Sequence, residues 1–227
     1  MCGRFTLSQT IEALAQNFDV KRLPEVEPQY NIAPTQMVLA VLYNSETKER
    51  EFQQLYWGLI PSWAKDREIG SKLINARAET IAEKPAFRSA FKHRRCLIVA
   101  DGFYEWKQQA SKKQPFYFCL QDKQPFGFAG LWEQWKPSEK EQIASCTILT
   151  TQPNELVQAF HTRMPVILKP QDYDLWLAPQ LQTPETLQPL LNPYPAISMT
   201  AYPVSPMVNN PKNNSRECIM PILESGE

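Results

Sequence analysis

The chain has 227 residues, 43% of them hydrophobic and 21% charged, the composition of a soluble globular protein with room for one sizeable core or two small ones. Twenty-four Lys and Arg balance 24 Asp and Glu, so overall charge does not hold nucleic acid and any cationic surface has to be local. No apolar run approaches the roughly 18 residues that span a bilayer, and no apolar signal segment follows the first residues. The expectation is a cytoplasmic protein, nucleoid-associated if the source is bacterial, with no membrane partner.

In chain order, Ile11, Leu14, Ala15 and Phe18 recur at helical spacing and predict a helix over 8–18. Residues 37–43 form a short apolar run and read as a strand. A second strand over 52–59 ends at Gly58, and Pro85 opens a helix that carries Phe87, Ala90 and Phe91 on one face. Segments 96–100, 103–106, 116–121, 126–132 and 146–151 are rich in β-branched and aromatic residues and read as strands. Asn154 is placed to cap a helix reaching Phe160. A strand over 165–168 and short helices near 172–177 and 185–191 follow, and 197–202 and 218–222 close the order. Strands dominate without regular alternation with helices, which argues against a doubly wound sheet. Seven glycines, twenty prolines and no low-complexity linker suggest one compact domain with stiff connections. The expected fold is α+β: a single domain over 1–227, built around a curved, mainly antiparallel β-sheet or barrel with peripheral helices.

Little in the sequence offers a metal site or a phosphate loop. The five cysteines are scattered, none in a Cys-x-x-Cys pair, and His93 and His161 are the two histidines. Cys96, Cys119 and Cys146 sit in apolar strand-like runs and read as buried, inert thiols. The basic run Lys92-His93-Arg94-Arg95 reads as a solvated face. Cys2 is different. Removal of Met1 would leave an α-amine with a pKa near 8 beside a thiol near 8.5. Such a 1,2-aminothiol condenses with an aldehyde and closes a five-membered thiazolidine ring.

Six segments occur in order: Met1-Cys2-Gly3-Arg4-Phe5, Tyr30-Asn31-Ile32-Ala33-Pro34, Trp57-Gly58-Leu59-Ile60-Pro61, Ile74-Asn75-Ala76-Arg77-Ala78-Glu79-Thr80, Ala100-Asp101-Gly102-Phe103-Tyr104-Glu105-Trp106 and His161-Thr162-Arg163-Met164-Pro165. Together they closely resemble the SRAP family, named for SOS-response-associated peptidases, over a stretch running from Cys2 to an expected final strand around 208–213. The resemblance implies a β core with a groove for single-stranded DNA, and covalent capture of abasic sites by Cys2 as a thiazolidine that shields the lesion. It further implies that Asn75, Glu105 and His161 are active-site residues; the condensation itself is expected to need no metal or organic cofactor.

Side-chain chemistry agrees with those roles. Glu105, among Phe103, Tyr104 and Trp106, is a general base whose pKa desolvation would raise. His161 can move protons during sugar-ring opening and dehydration, and Asn75 can orient a sugar hydroxyl or the Cys2 backbone. Arg4, Arg77 and Arg163 lie two residues from Cys2, Asn75 and His161 and are candidate phosphate clamps, although Glu79 is also placed to pair with one of them. Trp63, in an expected loop, is a candidate for stacking on a base, and Pro34 and Met37 for lining the groove. Trp57 and Trp106 fit either a core or a stacking role. The expected partner is single-stranded DNA carrying an abasic site, bound by a monomer. Three other readings stay open: an N-terminal-nucleophile amidohydrolase, a noncatalytic reader of modified or single-stranded DNA, and a peptidase whose substrate is its own Met1. Against the first, the chain lacks the Asn-Gly-Glu and Arg-Gly-Xaa-Asp segments with which class II amidotransferases bind glutamine.

Overall fold

A computed structural model describes residues 2–109, 112–139, 141–180 and 182–222. The strands among them are β1 (Phe5–Leu7), β2 (Gln29–Ile32), β3 (Met37–Asn44), β4 (Glu49–Trp57), β5 (Asn75–Arg77), β6 (Arg95–Ala100), β7 (Gly102–Gln109), β8 (Lys112–Leu120), β9 (Phe126–Ser138), β10 (Glu141–Thr151), β11 (Met164–Pro165), β12 (Ile167–Leu168) and β13 (Met199–Pro203). The helices are α1 (Ile11–Phe18), α2 (Arg88–His93), α3 (Tyr173–Leu177) and α4 (Pro184–Leu187), all short and peripheral to the strands. None is long and apolar enough to cross a membrane.

Five strands close on themselves. β4 pairs with β3, β3 with β6, β6 with β9 and β9 with β10, all antiparallel, and β10 returns to β4 in parallel through Ser145↔Tyr56 and Cys146↔Trp57. Closure removes the free edges that a strand-rich chain would otherwise expose. The barrel is filled from β6, where Cys96 through Ala100 have no exposed surface, and from Leu55, Trp57, Phe128 and Ile148. A second sheet, in the order β13-β8-β7-β1-β2, packs on it. Phe5 of β1 makes edge contacts with Trp57 at 5.0 Å and with Phe128 at 5.8 Å between ring centroids, which fastens the start of the chain to the barrel.

α1 forms as its spacing predicts, with the Thr10 hydroxyl capping the Ala13 N–H. β4 ends before Gly58, which adopts φ +144°, and a Cβ there would lie 2.6 Å from the Gly70 carbonyl oxygen. This close approach folds the segment after β4 back on the barrel and delivers the chain to β5. Three expectations differ. The segment 155–160 is a set of turns rather than a helix: Asn154 accepts from the Leu156 and Val157 N–H groups, but the backbone bonds that follow, from Gln158 to Asn154 and from Phe160 and His161 to Val157, make no continuous helical ladder. Phe160 is drawn instead onto Phe116 and Phe118, at 4.8 and 5.0 Å. The expected final strand around 208–213 is a 3-10 turn, Pro206–Asn209, followed by further turns. Its carbonyls are taken by the Asn31 side chain, which donates to Val208, Asn210 and Asn213, so no ladder is available to them. Residues 218–222 likewise hold the end of a 3-10 turn, Arg216–Ile219, and one bridge, Val204↔Pro221.

Candidate active site

The β1–β7 register builds the site. Thr6 lies opposite Gly102 and Phe5 opposite Phe103, and the Tyr104 N–H donates to the Arg4 carbonyl at 3.0 Å. The same register continued brings Gly3 opposite Glu105, with Cys2 next to it. β5 enters from the barrel side, parallel to β10 through Ile148↔Asn75, and the Asn75 Nδ2 donates to the Cys2 carbonyl at 2.8 Å. β8 places Phe116 opposite Glu105, and Phe116 supports Phe160, the neighbour of His161. Glu105 and His161 line one cleft of about 800 Å³ together with Trp106, Lys107 and Asn209. Four segments separated by up to 159 positions in sequence thus meet at one end of the second sheet.

Burial sets the electrostatics. Glu105 is 5% exposed, and desolvation pushes its carboxyl from the ordinary 4.5 up to about 7. The Cys2 thiol has no exposed surface and is pushed well above its ordinary range, by burial first and by the Glu105 charge second, so near neutral pH it is a thiol. His161 is shifted down by partial burial and is neutral at pH 7. Its Nδ1 accepts the Arg163 backbone N–H at 2.9 Å, which leaves Nε2 to carry the proton and face a reactant. The Asn75 Oδ1 is buried with no hydrogen-bond partner among the described residues, an acceptor beside the Cys2 backbone.

The three arginines separate. Arg4 donates to Asn31 Oδ1 at 2.6 Å and to the Val208 carbonyl at 2.7 Å and lies 5.8 Å from the Trp106 ring, so it ties β1 to the 206–210 turn. Arg163 is bidentate to Glu79, at 2.6 and 2.8 Å, and also donates to the Thr150 carbonyl. Arg163 commits both terminal nitrogens inside the protein, the arrangement that Glu79 offered as the plainer alternative for one arginine, whereas both Arg4 bonds come from Nη1. Arg77 is exposed, two positions from Asn75 on the same face of β5, with no hydrogen bond among the described residues. Trp63 is 60% exposed in a loop held by the Trp135 Nε1 bond to the Ala64 carbonyl. Pro34 is half-buried in a turn beside Met37, which is 49% exposed and lines a second cleft of about 570 Å³ with Gln36 and Lys212. Trp57 is core, its indole donating to the Ile74 carbonyl; Trp106 is half-buried at the first cleft and donates to Asn209. Sequence reading missed Thr35, a β-branched residue at φ 70° that sets the turn next to Pro34; only the Pro-Thr order after Ala33 hinted at it. Met1, whose removal the aminothiol chemistry requires, lies outside the described residues.

A small barrel and a second sheet, with a cysteine three residues ahead of β1 meeting an amide and a buried carboxyl, and a neutral imidazole in the same cleft, define an SRAP-type domain. The SOS response associated peptidase (SRAP) family model matches residues 1–211, and the chain belongs to that family. It is 48% identical over 223 residues to the abasic site processing protein YoqW of Bacillus subtilis (strain 168), covering 96% of this chain and 99% of that one. It is 32% identical to the abasic site processing protein YedK of Escherichia coli (strain K12), covering 98% and 100%. A crystal structure of a Bacteroides thetaiotaomicron protein superposes with a TM-score of 0.86 at 26% identity, covering 98% of this chain and all of the other.

Proposed function

We propose that this protein captures abasic sites in single-stranded DNA covalently, acting as a monomer and without a metal or organic cofactor. The observation that carries the reading is the meeting of Cys2 with Asn75 and Glu105 at the end of the β1–β7 ladder, with His161 lining the same cleft as Glu105. The names of the relatives, abasic site processing proteins, support it.

Hydrolysis of the Met1–Cys2 bond, consuming one water, converts the Cys2 amide nitrogen into an amine. Glu105, half ionised near pH 7, accepts the proton of the α-ammonium, and the free amine attacks C1′ of the ring-opened sugar. The Nε2–H of His161 supports proton delivery to the departing oxygen, and loss of one water leaves an imine. The Cys2 thiol then adds to C1′, its proton passing to nitrogen, and the thiazolidine closes. Aldehyde and aminothiol thus give ring plus water. The raised thiol pKa fits this order, because the thiol is needed only after the amine has reacted. Asn75 holds the Cys2 carbonyl and with it the amine's approach. Arg77, exposed two positions from Asn75, supports a contact with the flanking strand, and the exposure of Trp63 in its loop supports a stacking role there, with Pro34 lining the strand's path.

The test is a denaturing gel after mixing Met1-processed protein with a strand carrying one abasic site. Intact DNA, a reduced site without aldehyde, and Cys2→Ala serve as controls. An SDS-resistant adduct confined to the true site and to Cys2 is expected. Its absence with verified free Cys2 would overturn the reading and direct attention to amide hydrolysis or noncovalent binding.

A further inference from the structure

The inference rests on the capture reading and concerns what holds the strand. A chain of formal charge zero needs a local source of positive charge, and two of the three arginines nearest the site are occupied by internal partners. The β7–β8 hairpin supplies the charge instead. From Trp106 through Gln121 the sequence has no acidic residue, while Lys107, Lys112 and Lys113 fall within that stretch. All three are exposed, and among the described residues none forms an ion pair.

Two of them line the cleft that holds Glu105 and His161. Lys107 lies two positions beyond Glu105 and so on the same face of β7. Its ammonium stands 5.7 Å from the centre of the Phe160 ring, the residue before His161. Lys113 comes from the return strand, opposite Gln108, and lines the same cleft. Trp106 and Phe160 supply aromatic surface in that cleft, which continues outward from Glu105 and His161. Cations alternating with aromatic faces along a groove are the general device for holding a single strand without regard to sequence.

We infer that the β7–β8 hairpin is a phosphate-binding arm: Lys107 and Lys113 hold backbone phosphates on one side of the lesion, and Trp106 and Phe160 offer faces to the bases between them. The cleft extends from the reacting groups toward the hairpin tip, so the arm grips one flank only. Single-strand binding loses about 0.7 in the slope of log K against log salt for each phosphate contact removed. Removing two therefore lowers the slope by about 1.4 and weakens binding at 0.1 M salt on the order of 10-fold, with the deficit fading toward 1 M.

The experiment measures fluorescence anisotropy of a single strand carrying a tetrahydrofuran site, which has no aldehyde and cannot react. The wild type is compared with K107Q/K113Q, and with K92Q/K169Q as a charge-matched control outside this cleft, between 0.05 and 1 M salt, all probe conditions being on the order used for such slopes. The expected result is a shallower slope and weaker binding for K107Q/K113Q alone. The deficit should disappear when one flank of the oligonucleotide is shortened and persist when the other is. A slope equal to wild type, an equal loss in the control pair, or a deficit indifferent to which flank is shortened overturns the inference. A wild type that binds this strand but never crosslinks a true abasic site overturns the capture reading instead, and leaves the hairpin result to stand by itself.

Discussion

Replacing Glu105 with Gln should make the folded protein more stable at alkaline pH while removing its chemistry. In the protein that retains Met1, the carboxyl rises from 4.5 to about 7 because it is desolvated, so the folded state holds a proton that the unfolded chain has already released. The stability that comes from holding this proton is fully present below pH 4.5 and lost as pH rises through about 7. At about 1.4 kcal/mol per pH unit, the difference amounts to about 3 kcal/mol. Gln cannot ionise and does not suffer this loss. Whatever its amide gains or forfeits in packing is independent of pH, so the change in the gap between variant and wild type isolates the carboxyl. The assay is thermal unfolding at pH 4.5 and pH 8.5 of protein expressed with methionine aminopeptidase inhibited, with Met1 retention checked by intact mass. For a chain of this size about 3 kcal/mol corresponds to a gap in Tm that widens by roughly 6–12 °C toward high pH. A gap of the same size at both pH values would refute the argument that Glu105 is a desolvated base.

Three further outcomes follow from the same geometry. Cys2→Gly, which keeps an amine but no thiol, should stop at the imine. A borohydride-trappable adduct and slow strand nicking are expected, and their joint absence would show that the amine does not attack first. Asn75→Ala removes the bond to the Cys2 carbonyl, costing about 1 kcal/mol of stability, and it should slow crosslinking on the order of 100-fold through misplacement of the amine. Single-turnover kinetics at saturating DNA would test this, and an unchanged rate would remove Asn75 from the site. Arg163→Ala breaks the fork to Glu79 and loosens the loop that presents His161. Because Glu79 is partly exposed, the expected loss is only about 1–2 kcal/mol, with a lower maximal crosslinking rate and an unaltered salt slope of DNA binding. A flatter slope would return Arg163 to the role of phosphate clamp.

Local pattern made much of the fold legible. Apolar runs such as 37–43 and 96–100 lie in β3 and β6 because strands buried in a closed barrel need little else. The elements that escaped are those whose existence depends on distant partners. β1 and β5 have three residues each, too few for a periodic signal, yet they carry the approach to Cys2 and Asn75. The segment after Asn154 has the composition of a helix, but Phe160 is captured by two phenylalanines of β8 before a second turn can form. The turn at 206–209 is organised by Asn31, more than 170 positions away. Of the site itself, the ordered motifs named Cys2, Asn75, Glu105 and His161, and the structure brings the first three together and sets the fourth in the cleft of the third. The fate of the arginines was not legible, since no sequence pattern says that Arg4 would turn toward Val208 or that Arg163 would accept Glu79 as its partner.

The division of labour among cations follows from what each position must do. Arg4 and Arg163 sit beside strands that have to be held to a fraction of an ångström, and a guanidinium fork committed to a carbonyl or carboxylate gives that rigidity. Such a fork is then poorly available to a phosphate. A lysine at the mouth of the cleft has the opposite properties: a flexible stem, a hydrated point charge and, among the described residues, no ion pair to give up. Placing it two residues beyond Glu105 has a second effect. Its stem leaves β7 on the face that carries Glu105, and its charge would be partly neutralised by phosphate when the strand is bound. DNA binding therefore brings negative charge toward a desolvated acid and favours the protonated form of Glu105, so the base is ionised only at higher pH. This sets a direction for the coupling: the pH at which crosslinking reaches half its limiting rate should be higher with DNA saturating than with DNA limiting, and K107Q should shrink that difference. Rate profiles from about pH 5.5 to 9, a span bracketing the shifted carboxyl value of about 7, would measure it, and coincident profiles would show that strand and carboxyl do not sense one another.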